Sequence, residues 1–251
     1  MLKKSLLTIA TLITLSLFAF RPSGQAQLSI HKNLASNTST EAVISLITEK
    51  LATNPAIGLP NQAAITIGVT GYLKLVKKGL IAINKPLTII DFSLPSSEKR
   101  LWTIDMVSGA ILHHTWVAHG RNSGQLMAKN FSNTNSSYMS SLGFYKTSET
   151  YQGKHGYSLR LDGLEKGLND NARTRAIVIH GADYANPEFI EKTGRLGRSL
   201  GCPALPMDQY QEIIDTIKED GCLYIYATDQ KYLKSSAFIP QNSESNLIAS
   251  N

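Results

Sequence analysis

Two side chains in this 251-residue sequence combine into a chemical pair: an imidazole at the end of an apolar run and a thiol in a tight turn. The run is Ile177-Val178-Ile179-His180-Gly181, and eighteen residues, Gly181 to Arg198, separate His180 from Ser199-Leu200-Gly201-Cys202-Pro203. A short β-prone stretch that ends in His-Gly places the imidazole at the end of a strand. Gly201 and Pro203 force the backbone to turn sharply around Cys202, which presents the sulfur instead of packing it. A thiol of ordinary pKa, about 8.5, is only a few per cent thiolate at neutral pH, so a nucleophilic cysteine needs a neighbouring base. On this reading Cys202 attacks and His180 shuttles the proton. The turn also brings together the N–H groups of Gly201 and Cys202, the expected donors to the oxyanion of a tetrahedral intermediate.

The other candidates are weighed against this pair. Cys222 lies in the β-prone run Cys222-Leu223-Tyr224-Ile225-Tyr226-Ala227, where a free cysteine packs as a small hydrophobe. A disulfide between Cys202 and Cys222 is therefore not expected, although an exported chain would permit one. His119-Gly120 ends an earlier strand as His180-Gly181 ends a later one, which makes His119 a candidate substrate contact, with a capping or core histidine as the alternative. Gly181, Ser199 and Arg198 complete the candidate substrate-contacting set, and Arg195 is a second source of a guanidinium fork. Asp183, three residues beyond His180, is a candidate orienting group, and His155-Gly156 is expected to shape a turn near the site. A zinc hydrolase would draw on His113, His114, His119, His180 and Cys202. His113 and His114 are adjacent in a strand and so point to opposite faces, and no His-Glu-x-x-His helix is present. Neither metal nor cofactor is expected.

These residues must be positioned by a scaffold that the hydrophobic pattern outlines. Val43, Ile44, Ile47 and Leu51 share one face of a helix from Glu41 to Leu51 after a Ser39-Thr40 start signal. Ile65, Val69, Tyr72, Leu73 and Val76 mark a second helix from about Asn61 to Lys78, ended by Gly79, with Gly68 and Gly71 as points of close packing. From residue 86 the pattern changes to strands at 87–92, 101–106 and 111–118, the last two joined by a turn at Ser108-Gly109. Residues 120–150 are rich in Ser, Asn and Gly and read as a long functional loop that walls a cleft. A strand at 175–180, an amphipathic helix at 207–219 and a strand at 222–227 follow. The fold class is mainly β with flanking helices (α+β).

Composition sets the frame. With 42% hydrophobic and 18% charged residues, the chain is an ordinary globular protein and not a fibrous or wholly disordered one. Met1 to Ala26 opens with Lys3 and Lys4, continues as an apolar run from Leu6 to Phe20 and ends in small residues. It reads as a signal peptide cleaved after Ala26, since that run is too short and too rich in Thr and Ser to span a bilayer. Its loss removes the charges of Lys3, Lys4 and Arg21 and lowers the net charge from +6 to +3, too weak a balance to argue for nucleic acid. The organisation is then a signal peptide over 1–26, a flexible linker over 27–39, a helical segment over 40–80, a catalytic domain over 81–230 and a disordered tail over 231–251.

His180-Gly181 followed by Ser199-Leu200-Gly201-Cys202-Pro203-Ala204 resembles the His-Gly and Ser-x-Gly-Cys signature of the YkuD-type L,D-transpeptidases of bacterial cell walls, in the murein branch with Pro-Ala after the cysteine. Leu87 to Ser93, Val117 to Gly120, Ser140 to Tyr145 and Gly153 to Leu159 match further segments, and the resemblance covers about residues 62–228. It implies a β-sandwich or barrel-type catalytic domain and an acyl-enzyme on Cys202, formed from a peptidoglycan stem tetrapeptide with loss of its terminal D-Ala. An amine acceptor resolves the thioester into a 3→3 cross-link or an exchanged D-amino acid; water would make the protein a carboxypeptidase or endopeptidase. The resemblance implies an exported protein of the periplasm or cell envelope, with no cofactor and no stable membrane anchor after signal cleavage. Two positions depart from the commoner pattern: Ala204 stands where Arg is usual, which leaves the substrate carboxylate to Arg198 or Arg195, and Leu200 stands where many members carry His or Arg. A non-catalytic wall-binding protein is the other alternative, and retention of both Cys202 and His180 argues against it.

Overall fold

Helix α1, Thr40–Ala52, starts where the Ser39 side chain accepts from the N–H of Ala42, and α2, Gln62–Lys77, starts where Asn61 does the same for Ala63. These caps satisfy N–H groups that the first turn leaves open. A computed structural model describes residues 39–53 and 57–239; the expected signal peptide, the linker up to residue 38 and the end of the tail from residue 240 lie outside the described residues. Gly79, at φ 69°, ends α2 by donating to Val76 O while Leu80 donates to Leu75 O. The buried face of α2 includes Ile65, Val69, Tyr72 and Leu75. Both glycines inside the helix are points of contact: a Cβ on Gly71 would lie 2.0 Å from the Phe144 ring, and one on Gly68 would lie 3.2 Å from Ile89 and from Tyr224.

The strands are β1 Leu87–Asp91, β2 Leu101–Ile104, β3 Ile111–Thr115, β4 Gly143–Gly153, β5 Gly156–Gly163, β6 Val178–Gly181, β7 Ala204–Leu205 and β8 Gly221–Tyr226. They form one sheet in the order β3-β2-β1-β8-β4-β5-β6-β7. The central pair, β1 and β8, is parallel and buried along its whole length, which is why both strands read as continuous apolar runs. One face of this pair lies under α2, against which Phe144 of β4 and Tyr224 of β8 stack at 4.3 Å. The two outer strands of the sheet are drawn together: beyond β3, Ala118 makes an antiparallel bridge to Ala204 of β7. The fold is mainly β, a nearly closed, barrel-like sheet with helices packed around it.

Several expected boundaries shift for local reasons. The strand expected at 111–118 stops at Thr115 and resumes as the bridge at Ala118. The one expected from Arg175 begins only at Val178, because Ala176 sits at φ 54°. Helix α3, Pro187–Thr193, follows β6, and helix α4 spans Tyr210–Ile217, within the expected 207–219. The expected loop over 120–150 is corrected more deeply. Its second part is the eleven-residue strand β4, which forms a long hairpin with β5 and exposes Glu149 and Gln152 while burying Thr147 and Ser148. The expected disordered tail is corrected as far as Ile239. Helix α5, Gln230–Ser235, capped by Asp229, carries buried Tyr232, and Phe238 and Ile239 are buried after it.

Candidate active site

β6 delivers His180 to the end of the sheet, paired with Ser158 of β5 on one side and Ala204 of β7 on the other. Its Nδ1 lies 2.9 Å from the carbonyl oxygen of Gly181. An N–H must stand at that nitrogen, so in the neutral ring Nε2 is the bare, basic nitrogen. This carbonyl, and not Asp183, orients the ring: Asp183 is exposed and only its backbone carbonyl is engaged, by Asn186. Gly181, expected to touch substrate, is buried and faces away, since a Cβ there would meet the Tyr210 ring at 2.7 Å and Met207 Sδ at 2.8 Å. Its contribution is the carbonyl.

Cys202 is half-buried at the end of a turn that Ser199 ties together. The Ser199 hydroxyl donates to Cys202 O at 2.6 Å and accepts from the N–H of Gly201 at 3.0 Å. Gly201 sits at φ 125°, and a Cβ there would stand 2.9 Å from Met139 O, so only glycine allows this turn. The expected pair of oxyanion donors is thereby corrected. The Gly201 N–H is spent on Ser199, whereas that of Cys202 has no hydrogen-bond partner among the described residues. The thiol donates to Ala176 O at 3.7 Å. Burial pushes its pKa up, opposed by the N–H of Val178 and by the charges of Arg175 and Lys154. Burial lowers the basicity of His180, and the charges of His155 and Lys154 act in the same direction. Both shifts act against charge separation between the two groups.

Cys202 and His180 line one cleft of about 360 Å³ with Tyr151, Lys154, His155, Arg175, Tyr184 and Arg198. Its lining holds three cations and no carboxylate, a balance that attracts an anionic ligand. The β4–β5 hairpin walls the cleft with Tyr151, Lys154 and His155, so the wall expected of residues 120–150 is not made by the part that precedes β4, residues 120–142. That segment instead supports the site from behind: Arg175 donates to Ser132 O at 2.7 Å and to Met139 O at 2.6 Å, and the Ser140 hydroxyl bridges the Gly120 N–H and Gly201 O. Arg175 and Tyr151 were not singled out in the sequence; a guanidinium just before the His-Gly strand was the available signal for the first.

His119 is the largest correction among the candidate substrate contacts. It is fully buried and does not line the cleft. Its Nδ1 lies 2.8 Å from Arg100 Nη2 and its Nε2 3.3 Å from Gly124 O. Because a guanidinium can only donate, Nδ1 accepts and the proton sits on Nε2. The sequence could not place Arg100 behind it, since that contact depends on closure of the sheet. Arg198 reaches the cleft while one of its nitrogens donates to Arg121 O and Gly124 O; Arg195 donates to Leu196 O and lies outside the lining. His113 and His114 do point apart, the first to Thr216 at 2.9 Å and the second stacked on Trp102 at 4.9 Å.

The model of the L,D-transpeptidase catalytic domain family matches residues 59–226. The chain belongs to that family. A comparison with curated proteins returned no match. Among solved structures, an L,D-transpeptidase from Mycobacterium smegmatis is similar at 13% identity over 57% of this chain and 59% of its own, with a TM-score of 0.35. L,D-transpeptidase 3 from Mycobacterium tuberculosis gives 11% over 56% and 60%, TM-score 0.36. The helical cell shape determining protein of Campylobacter jejuni gives 13% over 64% and 55%, TM-score 0.38. The chain thus spans less than two thirds of each of these. Within this L,D-transpeptidase domain, Ala204 is fully buried in β7 and Leu200 is 52% exposed at the cleft mouth. Among the described residues no helix is long and apolar enough to cross a membrane.

Proposed function

We propose that this protein is an exported cysteine L,D-transpeptidase that acts on peptidoglycan stem tetrapeptides through an acyl-enzyme on Cys202. The observation that carries the reading is the placement of Cys202 and of His180, its tautomer fixed by the Gly181 carbonyl, in one cationic cleft. On substrate entry the thiol exchanges its bond to Ala176 for one to His180. Nε2 takes the Sγ proton as sulfur adds to the donor carbonyl, and the Cys202 N–H receives the oxyanion. When the C–N bond to the terminal D-amino acid breaks, His180 returns the proton to the departing amine. An acceptor amine then attacks the thioester and the thiol is regenerated. Arg198, with donors left over from its two carbonyl contacts, takes the substrate carboxylate in place of the residue absent at Ala204. Ser199 holds the turn, and Gly201 permits it.

The test is mass spectrometry of the purified protein incubated with disaccharide-tetrapeptide muropeptides, beside Cys202→Ala. A Cys202-dependent dimer lacking one D-Ala supports the transferase. Cys202-dependent shortening without dimers assigns the acyl-enzyme to water and makes the protein a hydrolase, and unchanged muropeptides overturn the substrate. Cys222→Ala is the control: Cys222 is buried in β8 opposite Leu87, so its truncation should preserve turnover and cost about 1 kcal/mol of stability.

A further inference from the structure

The turn between β4 and β5 consists of Lys154 and His155, held between the paired residues Gly153 and Gly156. Gly156, the residue after these two, sits at φ 73°, the left-handed bulge position that closes such a turn. This turn reaches the catalytic cleft, and there the His155 ring lies on the His180 ring with centroids 4.3 Å apart and planes 19° from parallel. His155 is exposed and His180 buried, so the outer ring stands between the inner one and solvent. His180 thus has one edge fixed by the Gly181 carbonyl and one face covered by an aromatic ring.

We propose that His155 is a positioning residue for His180: its ring clamps the face of the His180 imidazole, and protonation of either ring suppresses protonation of the other. Two positive charges at this separation repel strongly unless an anion lies between them. None is supplied. The titratable and charged groups facing the pair are Lys154 on the same turn, Tyr151 from β4, Arg175 before β6, Tyr184 after it, and Arg198 and Cys202 on the nucleophile turn. Apart from the thiol and the phenols, all of these are cations. While His155 is neutral, its π face can accept the charge that His180 takes up with the thiol proton. A protonated His155 opposes that uptake. The functional part rests on the proposed role of His180 as proton acceptor; the coupling itself does not.

Nitrogen-15 NMR titration of the imidazoles in the full chain reads the coupling without substrate. His155→Phe keeps a ring against His180 and removes the second proton, and His155→Ala removes both. The His180 midpoint should rise by about half a unit to one unit in His155→Phe, with Nε2 still the bare nitrogen. With muropeptides, His155→Phe should keep kcat near pH 7 within about threefold, whereas His155→Ala should lose about tenfold in kcat with little change in KM. A His180 midpoint in His155→Phe that superimposes on wild type overturns the coupling, and equal kcat in the two variants overturns the clamp. If His155→Ala does not fold, an equal loss in His155→Phe and His155→Leu overturns the clamp instead. Coupled titration in a protein inert toward muropeptides would sink the proposed substrate and leave the stacked pair standing.

Discussion

A cysteine and a histidine in one cleft can rest as a thiolate–imidazolium pair or as two neutral groups, and the surroundings of Cys202 and His180 favour the second. Burial raises the thiol and lowers the imidazole, and both shifts disfavour charge separation. The expected consequence is a pH dependence of Cys202 acylation whose acid limb lies below 6.5, the ordinary histidine value. Below it Nε2 carries a proton and cannot take the one on sulfur; above it the rate is level until free thiolate forms beyond the ordinary value of 9.0. The thiolate ultraviolet absorbance lost in Cys202→Ala should therefore be absent at neutral pH. A thiolate signal that persists below 6.5 would show the ion pair and refute the neutral one. The chemistry of these residues was legible because Gly201, beside Cys202, announces unusual backbone and because His180 ends an apolar strand-forming run. Which N–H groups the turn leaves free was not legible. That depends on the Ser199 hydroxyl folding back onto Gly201 N–H, a choice made by geometry and not by residue type.

Among the elements, the two N-terminal helices matter because α2 covers the central parallel strands. Gly71 marks the tightest contact: a methyl there would fall 2.0 Å from Phe144, whose ring is pinned between α2 and Tyr224. Gly71→Ala gains up to about 1 kcal/mol of helix propensity and loses about 1–3 kcal/mol to overpacking, so net destabilisation is expected. Gly68→Ala meets the ends of Ile89 and Tyr224 at 3.2 Å and should be far milder. Urea unfolding of both variants checks this, and equal stability of the two would contradict the packing described. The helices could be read from the sequence because their apolar faces repeat at 3.6 residues and their ends carry Ser39, Asn61 and Gly79. β4 was hidden for the opposite reason. Phe144, Tyr145, Thr147, Thr150 and Tyr151 are good strand formers, but the Ser, Lys, Glu and Gln between them follow a Ser- and Asn-rich segment and blur its start. The tail escaped notice because Tyr232, Phe238 and Ile239 are too few to form a periodic pattern, yet each finds a place on the core.

Closure of the sheet connects the catalytic turn to the stability of the whole molecule. Ala118 bridges Ala204, Ser199 N–H donates to His119 O, and Arg121 N–H donates to Ser199 O. The seam thus runs directly behind Cys202. His119 sits in it, fully buried against Arg100, and burial together with the Arg100 charge lowers its pKa from 6.5 to about 3. The unfolded chain therefore binds a proton that the folded one refuses. The resulting stability is complete above 6.5 and drains away as pH falls toward 3, with a slope of up to about 1.4 kcal/mol per pH unit. Glu165 acts with the other sign: burial raises its carboxyl, so the folded state holds that proton better and stability falls as pH rises through its titration. His119→Gln isolates the seam, because an amide can accept from Arg100 without taking up a proton. Urea unfolding of wild type and variant at several pH values should give a flatter acid side for His119→Gln. Hydrogen exchange should show the Ser199 and Ala204 amides of the wild type losing protection before those of β1 and β8 as pH falls. Parallel acid profiles in the two proteins would remove His119 as the cause, and simultaneous exposure of seam and central strands would show that the seam does not open by itself.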